Sequence, residues 1–193
     1  LGIHYNNLQD YLDGLQKAVK TPYKPFSRLG LDDANGQPIQ INDHVLQIEN
    51  EYYSLVRPKQ VPLAGETPSQ ALENRGIAYV ELRAVDVNPY SPIGINEDTA
   101  GFLEVVALYC LLQDSPALLS DEQDIIEQNQ AEVVNRGRAP NAAIMENGQS
   151  YPIEDWCAMH LQHMHPLAKL LNSAYDSTLY TDALKTMMIR VDE

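Results

Sequence analysis

Glu81 and Arg83 stand two residues apart inside an otherwise apolar run, Ile77-Ala-Tyr-Val-Glu-Leu-Arg-Ala-Val-Asp-Val87, in which Asp86 is the one other charge. The run is rich in Val and is bounded by Gly76 before it and by Pro89, Pro92 and Gly94 after it, so it reads as a strand. Side chains alternate faces at ~3.3 Å per residue, which puts Tyr79, Glu81 and Arg83 on one face and Ala78, Val80, Leu82 and Ala84 on the other. The second face is wholly apolar and is expected to pack on a core. The first carries a carboxylate and a guanidinium with roughly 6–7 Å between their Cα atoms. Opposite charges in mid-strand are costly to bury unless paired or liganded. Two readings stay open: a structural ion pair at a sheet surface, or a site wall with Glu81 on a metal and Arg83 on an anionic substrate.

Further carboxylates lie upstream in His44-Val-Leu-Gln-Ile-Glu-Asn-Glu-Tyr-Tyr-Ser-Leu-Val-Arg-Pro-Lys59. As a strand, this stretch puts Gln47, Glu49, Glu51 and Tyr53 on one face. Paired carboxylates there can do acid–base or metal chemistry, and are more often a solvated edge. Arg57 and Lys59 read by themselves as surface cations. A third cluster, Met159-His-Leu-Gln-His-Met-His165, invites a metal reading. His160 and His163 share a helix face, but His165 points elsewhere and no Glu-x-x-His or His-x-x-x-His spacing completes a site.

These residues need a frame. The chain has 193 residues, enough for a real core in one domain or part of one. It opens on Leu1 rather than Met and is expected to be a piece of a longer polypeptide. With 44% hydrophobic and 21% charged residues and a mean hydropathy of −0.33, the composition is that of a globular protein. No apolar run approaches the ~20 residues that span a bilayer, and no leader pattern suggests secretion. Two cysteines, Cys110 and Cys157, are too few for a disulfide framework and fit a reducing cytoplasm. The net charge of −14 is uneven: residues 1–95 sum to −3 and residues 96–193 to −11. So acidic a body repels phosphate backbones, which argues against nucleic acid. Arg57, Lys59, Arg75 and Arg83 place any anion-handling site in the first part.

Along the chain, Leu8, Tyr11, Leu12, Leu15 and Val19 predict a helix from Asn6 to Lys20, with Asn6 as N-cap and Pro22 as the stop. Asn35-Gly36 signals a hairpin turn, with a short strand over 39–42. Thr67-Pro-Ser-Gln70 is a capping box opening a short helix to about Asn74. Asn88 to Gly94 forms a rigid loop. Residues 97–113 predict a helix that is apolar all round and therefore buried. Ser120-Asp-Glu-Gln123 opens an acidic helix to about Asn135, and Asn147-Gly148 marks a turn. Pro152 starts a long helix kinked at Pro166, and Thr181 caps the last one.

Leu46-Gln-Ile-Glu-Asn-Glu51 through Tyr53, Arg57-Pro-Lys59, Gly65-Glu-Thr-Pro-Ser69, Tyr79-Val-Glu-Leu-Arg83, Asp86-Val-Asn-Pro89 and Ser91-Pro-Ile-Gly94 together resemble the proteobacterial type of glutamate–cysteine ligase, also called γ-glutamylcysteine synthetase. The resemblance covers about residues 1–115, with Tyr90 where the family has Phe, and fades through the acidic second half. It implies a middle-to-late piece that lacks the family's first portion, with a sheet-containing catalytic region over 1–115 and an acidic helical region over 116–193 of the same domain. It further implies an α+β fold, part of a glutamine-synthetase-like antiparallel half-barrel with a mostly helical second half and substrates on the concave face. The implied activity is ATP- and Mg²⁺-dependent joining of glutamate and cysteine through γ-glutamyl phosphate, the first step towards glutathione. By place in the motif, Glu81 holds Mg²⁺, Arg83 binds the transferring phosphoryl or the glutamate carboxylate, and Tyr53 lines the cysteine pocket. Glu51 and Arg57 match the pattern without an assigned role.

Two other readings remain open on the sequence. Another carboxylate–amine ligase of the same superfamily needs similar residues. Alternatively, residues 116–193 taken alone resemble a non-catalytic acidic helical module that binds a protein partner.

Overall fold

A computed structural model describes residues 2–192. The chain is α+β, with seven helices and two small antiparallel sheets among the described residues, and it divides into two compact units that meet in sequence at Asp86 and Val87.

In the first unit, α1 (Leu8–Ala18) supplies most of the core. Its N-cap is Asn7 rather than Asn6: the Asn7 side chain accepts from the Asp10 amide at 2.9 Å, satisfying one of the amides a helix start leaves open. Tyr11, Leu12, Leu15 and Ala18 bury one stripe against Ile3, Leu46, Tyr52 and Leu72. Each such Leu is worth about 1.5–3 kcal/mol of burial. Gly14 admits the incoming N-terminal segment, since a Cβ there would stand 3.0 Å from the Cα of Ile3. A one-and-a-half-turn helix, α2 (Lys24–Leu29), follows. The Asn35-Gly36 turn closes as expected, with the Gly36 amide on Asp33 O at 3.0 Å. The strand expected over 39–42 does not form; the pairing there is a single bridge between Asp32 and Pro38. Residues 44–59 are not one strand either. A 3-10 turn occupies Glu49–Glu51, and β1 begins only at Val56 and ends at Lys59.

The capping box at Thr67 forms in full and opens α3 (Pro68–Arg75): Thr67 accepts from the Gln70 amide, and Gln70 accepts from the Thr67 amide. The strand expected over 77–87 shortens to β2 (Tyr79–Leu82), because its partner β1 is only four residues long. Two further bonds extend the ladder, Ala78 N to Lys59 O at 2.9 Å and Arg83 N to Leu55 O at 2.8 Å.

The second unit opens with the loop at 88–94, drawn shut by Asn88 N on Gly94 O at 2.7 Å. It then builds a helical core. Helix α4 (Glu97–Leu112), capped by Asn96, packs through Val105 on α6 (Ile153–Tyr175) and α7 (Leu179–Asp192), against Leu161, Met164, Ala168, Leu171, Tyr180 and Leu184. Helix α4 is apolar all round, yet Leu111 and Leu112 at its end are exposed. Helix α5 (Ser120–Arg136) buries no residue; its N-cap is Leu119, one position before the expected Ser120, with Glu122 accepting from the Leu119 amide at 2.8 Å. Asn147 and Gly148, both at positive φ, turn β3 (Ala143–Glu146) into β4 (Gln149–Pro152), the conformation a two-residue hairpin needs. The last helix starts at Leu179, two residues before the expected cap Thr181; the Ser177 hydroxyl oxygen accepts from the Leu179 amide at 3.0 Å.

Candidate functional site

The ribbon of β1 and β2 decides which side chains meet. Its register pairs Val56 with Leu82, Arg57 with Glu81, Pro58 with Val80 and Lys59 with Tyr79. Residues directly opposite in an antiparallel pair project from the same face. Arg57, Lys59, Tyr79 and Glu81 therefore share one face, and Val56, Pro58, Val80 and Leu82 the other. The polar face is the one that α1 and α3 cover, through Tyr11, Leu15, Ser69 and Leu72. Arg57 is 6% exposed. The apolar face, expected to pack on a core, is open instead, with Val80 58% and Leu82 43% exposed. Within the first unit, the described residues that cover the two-stranded ribbon, those of α1 and α3, lie on its charged side.

On the polar face, Glu81 Oε2 lies 3.8 Å from Lys59 Nζ and 3.9 Å from Arg83 Nε, too far for a hydrogen bond to either. The oxygen is buried and has no hydrogen-bond partner. The Arg83 guanidinium lies over the Tyr53 ring, 4.9 Å from its centroid, a cation–π contact that fixes the fork while leaving its N–H edges free. Tyr53 itself is exposed. Glu81, Arg83 and Tyr53 thus come together. Lys59, which by itself reads as surface charge, joins them as the second cation on Glu81. The cross-strand register brings it there, and a single strand over 44–59 carries no such register.

Glu49 and Glu51 do not share a face with Gln47 and Tyr53, because the 3-10 turn sends them apart. Glu49 turns to α3, accepting from the Ser69 amide at 2.9 Å and the Ser69 hydroxyl at 2.5 Å. It thereby supplies negative charge at a helix start. Glu51 closes its own turn by accepting from the Gln47 amide at 2.6 Å. Above the site, Tyr5, Tyr11 and Tyr52 pack as a ring cluster, and the Tyr5 hydroxyl donates to Val56 O at 3.0 Å, pinning the start of β1. Burial pushes the Tyr52 hydroxyl well above its ordinary pKa. Burial also raises Tyr11, against the opposing pull of a hydrogen bond from Arg57.

For a divalent cation, Glu81 Oε2 is a hard, unsatisfied oxygen of the right kind. No group of three His, Cys, Asp or Glu side chains is placed to hold a metal among the described residues. Glu81 fits as one ligand of a shared site, not as a complete one. In the helical unit, the His160 ring lies tilted by 55° against Trp156, 4.2 Å between centroids, with Nδ1 3.4 Å from the Tyr109 hydroxyl.

The profile of the family described as glutamate-cysteine ligase matches residues 1–133. A glutamate–cysteine ligase from Azotobacter vinelandii is 43% identical over 97% of this chain and 35% of its own length. One from Pseudomonas putida is 43% identical over 98% of the chain and 36% of its length. The chain thus spans about a third of the length of these curated relatives. The crystal structure of a glutamate–cysteine ligase from Francisella tularensis in complex with AMP superposes with a TM-score of 0.90 at 36% identity, covering 100% of this chain and 38% of that one. This protein belongs to the glutamate–cysteine ligase family.

Proposed function

We propose that this chain is part of an ATP-dependent ligase that joins the γ-carboxylate of L-glutamate to the amine of L-cysteine, the first step of glutathione biosynthesis in the cytoplasm. The observation that carries this reading is the polar ribbon face: an unsatisfied carboxylate oxygen of Glu81 between Lys59 and Arg83, with Arg83 held over Tyr53. On this reading the ribbon is two strands of a larger antiparallel sheet, a glutamine-synthetase-like half-barrel whose concave side is the charged face. The exposed apolar face and the short, open ladder support that larger sheet.

The chemistry has two steps. A γ-carboxylate oxygen of glutamate attacks the terminal phosphorus of ATP, and the bond to the departing ADP oxygen breaks. The cysteine amine then attacks the acyl carbon of γ-glutamyl phosphate, inorganic phosphate leaves, and the nitrogen loses a proton to solvent. Arg83 presents a planar fork to the oxygens of the transferring phosphoryl or the glutamate carboxylate. Such preorganised charge is how phosphoryl transfer is accelerated. Tyr53 lines the cysteine pocket and keeps the Arg83 fork oriented. Mg²⁺, held in part by Glu81, would offset charge on the ATP phosphates. Remaining carboxylates and phosphate contacts come from the portion of the protein outside this chain.

The test is a coupled assay. The full-length protein containing this segment is expected to form γ-glutamylcysteine from glutamate, cysteine and ATP, and the 193-residue chain alone to form none. Turnover by the purified segment overturns the shared-site account; a full-length protein that uses ATP but forms no γ-glutamylcysteine overturns the substrate assignment.

A further inference from the structure

We infer that Arg57 and Lys59 form a phosphate subsite for the nucleotide, in the cavity between the polar ribbon face, α1 and α3. The inference rests on the ATP-dependent reading above and assigns a role to a residue that reading leaves without one. The cavity has a volume of about 170 Å³, and Arg57, Lys59, Tyr79, Leu15 and Leu72 are among its walls.

Arg57 is 94% buried, and its Nε has no hydrogen-bond partner. A guanidinium taken out of water without an anion is costly, and folds keep one only where something compensates. The obvious compensation is not used. Glu81 is the registered cross-strand neighbour of Arg57, yet the ion pairs that Glu81 makes are to Lys59 and Arg83. Each of the two registered residues therefore keeps a buried atom without a hydrogen bond, Nε on Arg57 and Oε2 on Glu81, the second standing between two cations at 3.8 and 3.9 Å. Glu49 lies in the same cavity, but its oxygens turn to Ser69 at the start of α3 and it makes no ion pair with Arg57 within 4 Å. Tyr11, whose hydroxyl Arg57 pulls down against the effect of burial, brings no charge of its own.

The two orphaned atoms select the ligand. A carboxylate would satisfy Arg57 and leave Glu81 as it is. A phosphate arriving with its counter-cation satisfies both, the phosphate oxygens on Arg57 and Lys59 and the cation on Glu81. Lys59 joins the two, because it lines the cavity and stands 3.8 Å from Glu81 Oε2. A tetrahedral anion can take two N–H groups from the Arg57 fork and one from the lysine ammonium, whereas lysine at position 57 offers a single point of contact.

The experiment is calorimetric titration of the full-length protein, wild type and Arg57→Lys, in buffer containing Mg²⁺, with AMP and separately with glutamate, alongside thermal melts. Charged hydrogen bonds of this kind correspond to about a 10- to 100-fold change in affinity. AMP binding is expected to weaken by that factor in Arg57→Lys, with glutamate binding unchanged. If Arg57→Lys does not fold, Lys59→Gln carries the same expectation for AMP. Unchanged AMP affinity in the folded variant overturns the subsite, and so does a loss confined to glutamate, which would make the anion a carboxylate. Titration needs no turnover, so these outcomes are separate from the γ-glutamylcysteine assay that tests the ligase reading.

Discussion

In the helical unit, the polar side chains near the core are spent on one another. The Tyr180 hydroxyl donates to Glu104 at 2.9 Å, the Thr186 hydroxyl to Asp98 at 3.2 Å, and Asn172 both donates to Thr181 and accepts from the Tyr180 amide. In the ribbon-bearing unit, Arg57 and Glu81 sit at registered positions with buried atoms that make no hydrogen bond. His160 Nε2 in the helical unit also lacks a hydrogen-bond partner, but one ring nitrogen of an imidazole, which need not carry a charge, is far cheaper to leave so than a guanidinium or a carboxylate. Satisfied groups of the first kind lock helices in place. Unsatisfied charges of the second kind are retained where a ligand completes them. On the function proposed above, the contrast puts the reaction on the ribbon and architecture in the helices.

The largest effect separating the two regions concerns the helical core. Leu184 is 3% exposed among Val105, Leu161 and Ala168, so Leu184→Ala is expected to cost about 2–5 kcal/mol, read as a lowered denaturation midpoint of the chain. A midpoint that hardly moves would mean the core is looser than described. Next comes the cap that aims α3. Thr67→Ala removes the acceptor for the Gln70 amide and should cost about 1 kcal/mol by the same measurement. Because Ser69 in that first turn holds Glu49, the same variant should also loosen the Glu49 turn, visible as faster amide exchange at Ser69.

A pH effect belongs to the ribbon-bearing unit. Arg75 donates twice to Glu66 and, with the Leu63 amide, lowers the Glu66 carboxyl from 4.5 to about 2. A depressed carboxyl contributes stability that is complete above its unfolded value and is lost as pH falls through the folded one. The melting temperature should therefore fall between about pH 4.5 and 2, and Glu66→Gln should flatten that slope. A slope unaffected by the substitution contradicts the pairing. The smallest effect is on the open side of the ribbon. Val80→Ala should change stability by no more than about 0.5 kcal/mol in this chain, since Val80 is 58% exposed. In the full-length protein, where we propose that a larger sheet continues, Val80→Asp should lower the melting temperature clearly; tolerance of the charge there would mean that face stays in water.

Much of the frame was legible. The Thr67 capping box, the Asn35-Gly36 and Asn147-Gly148 turns and the α1 stripe are set by local chemistry, and local chemistry is what a sequence states directly. The polar alternation of Tyr79, Glu81 and Arg83 was legible for the same reason. The stretch from His44 to Lys59 was not, because Glu49 and Glu51 imitate a strand's alternation while a tertiary contact, Glu49 on Ser69 twenty positions away, bends the backbone into a 3-10 turn. Arg57 looked like a surface cation next to a proline. Its burial comes from α1 and α3 closing over the ribbon, which no local pattern records. The exposure of the apolar face is not written in its alternation, because an apolar strand face states that it can be covered and not what covers it.

The central claim is that Arg83 serves the reaction and not the fold, and kcat with melting temperature for Arg83→Lys and Arg83→Ala in the full-length protein tests it directly. Arg83 Nε stands 3.9 Å from Glu81 Oε2, too far to be a strong structural pair, and its fork rests on Tyr53. Arg83→Lys keeps the charge but loses the two-point contact, which is expected to cost roughly 3 kcal/mol of transition-state stabilisation, or about 10²–10³ in kcat, with the melting temperature unchanged. Near-normal turnover in Arg83→Lys, together with a lowered melting temperature in Arg83→Ala, would make the Glu81–Arg83 pair architecture and contradict the account.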